Sequence, residues 1–261
     1  MTSLVVSSCR DGVARVRLNR ADKRNALTRG MLEDMLAAVK FVGSDRQARV
    51  CLIEAEGPVF CAGMDLGEMQ ARALGDDSEA EWQRDSDIYC ELLNQLFSLE
   101  IPTIAVVQGA AVAGGVGIVL ACDMTIASEA SFFALPEPVR GITAAMVTPL
   151  LVQRVGWGAA RHLLLSMERC DAARALQIGL ANDVVPTHQL AARVNELVTS
   201  VLSGSPLALS LTKQHLRSFT IKSMSEQLRD SAIVSAQARQ TPDAREGLQA
   251  FLDKRRPTWQ K

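Results

Sequence analysis

Residues 113–123, Ala-Gly-Gly-Val-Gly-Ile-Val-Leu-Ala-Cys-Asp, place three glycines within four positions ahead of an apolar run. Glycines admit a group to the main chain or let it turn where a Cβ would collide, so the stretch can serve a phosphate, a reacting oxygen or close packing. A dinucleotide fingerprint fails, because Gly115 and Gly117 are followed by Leu120 where glycine or alanine is required. A phosphate-binding P-loop fails too, since no lysine follows until Lys213. There is no H-E-x-x-H and no G-x-S-x-G, and His162, His188 and His215 lie far apart, so neither a metal site nor a serine nucleophile is expected.

A reacting oxygen fits better. Residues 50–66 (VCLIEAEGPVFCAGMDL) and 103–120 (TIAVVQGAAVAGGVGIVL) share one design, a buried strand running through a small-residue turn into a helix. If the two turns lie side by side, their free N–H groups converge on one oxygen, and the helix N-terminus behind them favours negative charge. That is the chemistry of an oxyanion hole.

The elements that must hold these turns follow from periodicity. Residues 4–9 and 13–18 read as a hairpin around Asp11-Gly12, Thr28 as the N-cap of a helix running to Gly43, and residues 50–55 and 103–108 as buried strands. The acidic segment 71–87 is expected to be a mobile flap, followed by a helix from Cys90. Residues 116–122 read as a helix, 124–128 and 131–135 as short strands, and most of the remainder as helices, which together suggest an α/β core with a helical C-terminal part. Asp65 and Asp123 are expected to cap or brace helices.

Composition narrows the function. With 261 residues, 48% hydrophobic and 22% charged, the chain can bury a large core. A formal net charge of −1 offers no basic field for a nucleic acid or an anionic membrane. The six cysteines form no C-x-x-C pair and read as reduced structural residues. No leader or apolar run near ~18 residues is evident, so a soluble cytoplasmic protein is expected.

Several ordered motifs carry a family resemblance: N-R-x-x-K-R-N-A-L at 19–27, F-C-A-G-M-D at 60–65, G-x-x-x-A-G-G-x-G at 109–117 with Cys-Asp at 122–123, Pro-Glu at 136–137, A-x-x-x-G-L at 175–180, P-x-A-L-x-x-x-K at 206–213 and R-E-G-x-x-A-F-L-x-K-R at 245–255. In this pattern the chain resembles the crotonase (enoyl-CoA hydratase/isomerase) superfamily. The resemblance implies a spiral of ββα turns over residues 1–200 and a C-terminal helical trimerisation region over 201–261, assembled as a homotrimer or dimer of trimers. It implies an acyl-CoA substrate, with coenzyme A as part of the substrate and no metal or redox cofactor.

Residue by residue, the resemblance makes the N–H groups of Met64 and Gly114 the oxyanion donors. It places coenzyme A contacts at Arg24, Ala26 and the stretch Ala62, Gly63, Met64, Asp65 and Leu66, with a basic contribution from Lys254. Hydratases of the best-known kind use two glutamates; this chain has Gly117 at the first place and Glu137 at the second. Alone, Glu137 reads as a solvated loop acid between Pro136 and Pro138, biased toward extended backbone; with the resemblance it becomes the aimed carboxylate.

Gly117 then reads as a vacant place, where alanine would be tolerated and would narrow the pocket. Ala145 stands where related 3-hydroxyisobutyryl-CoA hydrolases carry an aspartate, and residues 142–156 are similar to the 3-methylglutaconyl-CoA hydratase-like branch. Pro138 and Thr143-Ala144 depart from the family pattern at the active-site wall. An acidic acyl chain would need a counter-charge, for which Arg140 is the nearest candidate. The expected activity is an enoyl-CoA hydratase or dehydratase; the alternatives are a Δ3,Δ2-enoyl-CoA isomerase and a non-catalytic acyl-CoA or RNA-binding homologue.

Overall fold

The computed structural model describes residues 3–74, 77–218 and 224–258. Its strands are β1 (Val5–Arg10), β2 (Val13–Leu18), β3 (Val50–Ala55), β4 (Thr103–Val107), β5 (Ala110–Val112), β6 (Met124–Ser128), β7 (Phe132–Ala134), β8 (Cys170–Asp171) and β9 (Asp183–Val185). Its helices are α1 (Arg29–Ser44), α2 (Leu66–Ala73), α3 (Ser78–Ser98), α4 (Gly114–Ala121), α5 (Thr148–Ser166), α6 (Ala172–Gln177), α7 (Leu190–Ser203), α8 (Pro206–Ser218), α9 (Met224–Arg239) and α10 (Pro242–Leu252).

The hairpin forms where Asp11 and Gly12 both adopt positive φ, 51° and 80°, the geometry a tight right-twisted turn requires. Along β2 only Ala14, Val16 and Leu18 are buried, whereas the first four residues of β3 are all buried, which distinguishes a strand covered on one face from one covered on both. Six strands form a sheet in the order β1-β2-β3-β4-β6-β9, antiparallel only between β1 and β2.

A second sheet, β5-β7-β8, runs beside the first. It is reached by β4 continuing into β5 and β6 into β7, and an isolated bridge between Cys61 and Ala111 adds the segment after β3 to the same edge. Each turn of chain therefore contributes one strand to the large sheet and a short extended segment to the small one. That repeat is the spiral.

Successive layers of the spiral meet main chain to main chain. A Cβ on Gly109 would lie 1.9 Å from the Pro58 carbonyl oxygen, and one on Gly115 would lie 2.7 Å from the Cys61 carbonyl oxygen. Gly117 meets a side chain instead: its Cβ would lie 2.1 Å from the hydroxyl oxygen of Tyr89 on α3 and 3.3 Å from its ring carbon Cζ. The expectation of a vacant place at Gly117 is thereby corrected, because a buried phenol fills it.

The flap expectation is also corrected over most of its length. Residues 77–87 lead into and form the first turns of α3, with Trp82, Asp85 and Ser86 buried. Asp85 binds Arg29 at 2.6 Å and Arg72 at 2.9 Å, tying α3 to α1 and α2. Gly75 and Asp76 of that segment lie outside the described residues. Thr28 caps α1 by accepting from the Met31 N–H, and Asp65 caps α2 by accepting from Gly67 and Glu68. Asp123 braces rather than caps, accepting from the N–H and hydroxyl of Thr103 and from the buried Lys213 ammonium at 2.6 Å.

The C-terminal helices turn back onto the core: α9 packs against α3 and α5, and α10 against α2 and the Glu137 turn. Leu207, Leu211 and Leu216 on α8 and Ile233 and Val234 on α9 remain exposed. No described helix is long and apolar enough to cross a membrane.

Placing a methyl group against the Tyr89 hydroxyl should be costly. Gly117→Ala is expected to lower stability by about 2 kcal/mol, and the same change in a Tyr89→Phe background by less, because the 2.1 Å clash with the hydroxyl is replaced by tight 3.3 Å approaches to the ring carbon Cζ and to Val147 Cγ2. A double-mutant cycle by urea unfolding measures this coupling; additive effects would place the clash elsewhere.

Candidate active site

The two small-residue turns do lie side by side. Leu27 donates to the Gly63 carbonyl and accepts from Asp65 N–H, fixing Gly63-Met64-Asp65 as an extended strip. Gly63 has φ +84°, and a Cβ there would fall 2.8 Å from Ala113 Cβ and 3.4 Å from the Gly114 nitrogen. Neither the Met64 N–H nor the Gly114 N–H has a protein acceptor among the described residues. Gly114 opens α4, so its donor is one of the orphaned groups of a helix N-terminus.

Ala113, the residue before it, is held at φ 51°, ψ −122°, a conformation that costs a non-glycine residue about 1–3 kcal/mol. Its own N–H donates to the Ala134 carbonyl at 2.9 Å. Asp65 anchors the other strip, paired with Arg20 at 2.7 Å; burial raises its carboxyl pKa, but Arg20 and the helix amides outweigh that and hold it below its ordinary value. Cys61 lies between the strips as a thiol, pushed up to about 12 by burial, with its hydrogen directed to the Asn25 carbonyl. It is not a nucleophile at neutral pH.

Glu137 faces the same space from a single 3-10 turn, Glu137–Arg140, and not from the extended backbone its flanking prolines suggest. Pro138 sits early in that turn, where its missing N–H costs nothing, and it is exposed rather than part of the wall. The turn is clamped by α10. A Cβ on Gly141, at φ +67°, would lie 2.2 Å from the Asp243 carbonyl oxygen, and one on Gly247 would lie 2.3 Å from the Arg140 backbone. Only glycine allows that approach from both sides.

Glu137 is 7% exposed, and its Oε2 is buried without a protein partner. Burial pushes its carboxyl up to about 7, against the lowering by its own N–H and by Arg140 and Arg239. Its cavity has about 80 Å³ of free space and takes its walls from Ala62, Met64 and Leu66, from Gly114, from Thr143, Ala144, Met146 and Val147, and from Tyr89, Ser235, Arg140 and Arg239.

Of the residues expected from sequence, Met64, Gly114, Glu137, Ala62, Leu66 and Arg140 are thus brought together. Gly63 and Asp65 support the strip from outside the wall, and Gly117 lies behind Tyr89. Arg24 and Ala26 lie outside the lining as well. Arg24 is exposed at φ 54° with its carbonyl accepting from Ala62 N–H, while the Ala26 carbonyl accepts from Arg20 and its N–H is spent on Lys23. Arg24 thereby holds the Ala62 strip. Lys254 lies just beyond α10 at φ 55°.

Three polar lining residues were not identified from the sequence. Tyr89 is the only tyrosine of the chain, a signal available by simple count. Arg239 and Ser235 lie one helical turn apart on α9, whose pattern marks a helix but not which face meets the pocket. Arg239 donates to Ser86 Oγ at 3.1 Å and lies over the Trp82 ring at 5.5 Å, while Arg140 lies over Phe251 at 4.8 Å. Burial pushes both guanidiniums down from their ordinary value, partly offset by the nearby Glu137 charge.

Known proteins share this architecture over nearly the whole chain. The 2,3-dehydroadipyl-CoA hydratase of Escherichia coli K12 is 33% identical over 262 residues, spanning 98% of each chain. The mouse mitochondrial enoyl-CoA hydratase domain-containing protein 3 is 32% identical over 95% of this chain and 82% of its own. A crystal structure of an enoyl-CoA hydratase from Mycobacterium avium subsp. paratuberculosis K-10 superimposes with a TM-score of 0.87 at 28% identity, covering all of both chains. The profile described as enoyl-CoA hydratase/isomerase matches residues 8–261, and with the spiral of turns and the paired strand-to-helix junctions it establishes that the chain belongs to the enoyl-CoA hydratase/isomerase family.

Proposed function

We propose that the protein hydrates a 2-enoyl-CoA thioester, or dehydrates the 3-hydroxyacyl-CoA in reverse, with Glu137 as the one proton-transfer group. The observation that carries this reading is a single buried carboxylate sharing a narrow cavity with two unengaged backbone N–H groups. The thioester oxygen binds the Met64 and Gly114 N–H groups. Water adds to the β-carbon while Glu137 takes its proton, and negative charge moves to the thioester oxygen. As that enolate collapses, Glu137 returns the proton to the α-carbon. Each donor aimed at the developing oxyanion contributes about 3 kcal/mol to the barrier reduction, and the half-neutral state of Glu137 near pH 7 suits a group that must both accept and give a proton.

The acyl chain in this reading carries a carboxylate, as in a 3-methylglutaconyl-type thioester. Two guanidiniums line the cavity, neither forms an ion pair with a carboxylate among the described residues, and Arg140 Nε is buried without a hydrogen-bond partner. A second carboxylate on the substrate would relieve both desolvated cations. The E. coli relative is named for a dicarboxylic acyl group, which supports the same direction. The exposed leucines of α8 and apolar residues of α9 favour a homotrimer or dimer of trimers.

Assaying 2-enoyl-, 3-enoyl- and 3-methylglutaconyl-CoA for loss or gain of the conjugated thioester tests the reaction. Conversion of the 3-enoyl thioester to its 2-enoyl isomer without water uptake would assign an isomerase instead. Glu137→Gln is expected to lower kcat by ~10²-fold or more with little change in acyl-CoA affinity. Because the ionised form starts the reaction, kcat/KM should rise with pH through about 7. The same group sets a stability signature. Folded Glu137 keeps its proton to higher pH than the unfolded chain, so stability falls as pH rises from about 4.5 to 7, by about 3 kcal/mol in all. Glu137→Gln should therefore be more stable than wild type at pH 8 and equal to it near pH 4, as read by thermal unfolding.

Arg140→Ala and Arg239→Ala should each raise KM for a glutaconyl-type thioester while sparing crotonyl-CoA, and Arg140→Lys should recover only part of the loss if the contact is two-pronged. A wild-type preference for crotonyl-CoA would remove the acidic-substrate reading. Light scattering at micromolar protein should give a multiple of three 28.2 kDa chains; a stable monomer would refute the assembly.

A further inference from the structure

Tyr89 is 3% exposed, yet it lines the cavity that holds Glu137. Its Oη donates to the Gly114 carbonyl at 2.5 Å and would stand 3.4 Å from a Cβ on Gly114, beside the turn that offers the oxyanion donor. The bare backbone of Gly117 lets the ring reach this far, since any side chain there would collide with the hydroxyl. A phenol carries one hydrogen, and that hydrogen is already spent on Gly114; toward the cavity the oxygen presents lone pairs only. Burial, with the nearby Cys61 and Glu137 adding to it, pushes the phenol well above its ordinary value, so it stays neutral and serves as an acceptor, not as a base.

We propose that Tyr89 Oη and the Glu137 carboxylate together hold the water that adds to the acyl chain. One hydrogen of the water is accepted by Tyr89 and the other by Glu137, which leaves an oxygen lone pair directed at the β-carbon. As the new carbon–oxygen bond forms, the hydrogen on the Glu137 side passes to the carboxylate and from there to the α-carbon. The hydrogen on the Tyr89 side remains on the product hydroxyl, and Tyr89 neither gains nor loses a proton. A cavity with one acidic side chain thus has two acceptors for the reacting water, one from α3 and one from the Glu137 turn. The inference rests on the hydratase reading and adds a residue whose role differs from that of the oxyanion donors.

The difference gives the test. Hydration needs the water held, whereas exchange of the α-hydrogens of a saturated acyl-CoA with heavy water needs only Glu137 and the oxyanion donors. In Tyr89→Phe the ring and its packing remain while the acceptor is lost. Hydration kcat is expected to fall roughly 30-fold, the worth of a hydrogen bond to a charged or reacting group, with KM nearly unchanged and α-hydrogen exchange within about twofold of wild type. Retained exchange also shows that the variant is folded with its oxyanion turn in place. Equal loss of hydration and exchange would mean that the hydroxyl only secures Gly114, and unchanged hydration would mean that it does not hold the water; either result overturns the proposal. If wild type exchanges α-hydrogens but hydrates no 2-enoyl thioester, the hydratase reading itself fails, an outcome distinct from both.

Discussion

The structure depends on the contact between successive turns of the spiral, where main chain meets main chain without side chains between. Cys61 and Ala111 bridge the two turns, Gly115 lies against the Cys61 carbonyl, and Gly63 lies against Ala113 and the Gly114 nitrogen. A methyl group on Gly63 would push apart the strips that carry the Met64 and Gly114 N–H groups. The strain at Ala113 is part of the same constraint, since the neighbouring peptide must turn sharply to leave one donor free at the start of α4.

The charges around the cavity come from two elements, Glu137 and Arg140 from one turn and Arg239 from α9, and none forms an ion pair among the described residues. Glu137 loses solvation and gains only partial compensation from two guanidiniums, which are themselves desolvated and stacked on Phe251 and Trp82. A buried carboxylate in full contact with an arginine would be locked in its ionised form and would be a poor proton carrier. Here the cations stay outside ion-pair distance, which leaves Glu137 near neutrality. The polar cost is offset by an extensive apolar core running from Leu18 and Met31 through Ile53 to Val119 and Leu150.

Much of this was legible in the sequence because it is local. The Asp11-Gly12 hairpin, the Thr28 and Asp65 caps, the buried strands and the glycine turn each follow from a few adjacent residues. What was not legible depends on distant neighbours. Gly117 reads as vacant space until Tyr89, 28 positions earlier on another element, is seen to fill it. The acidic segment 71–87 reads as a flap because its charges outnumber its apolar residues; in the fold, Asp85 is matched by Arg29 and Arg72, and Trp82 is covered by the guanidinium of Arg239, a partner more than 150 residues away. The Pro-Glu-Pro turn bends where an extended run was expected because α10 presses Gly141 and Gly247 against it.

That clamp has a consequence for how the protein is made. The two strand-to-helix turns are assembled from residues up to 121, and Glu137 follows soon after, so a nascent chain holds every proposed reacting group well before residues 235–247 are made. The glutamate's turn, however, is pinned by α10 at Gly247, the Asp243 backbone and Phe251, and one wall of the cavity arrives with Ser235 and Arg239. The site can therefore close only after residues 235–247 have been made and have packed back onto the core. The Glu137 carboxylate stays unaimed until α10 is in place.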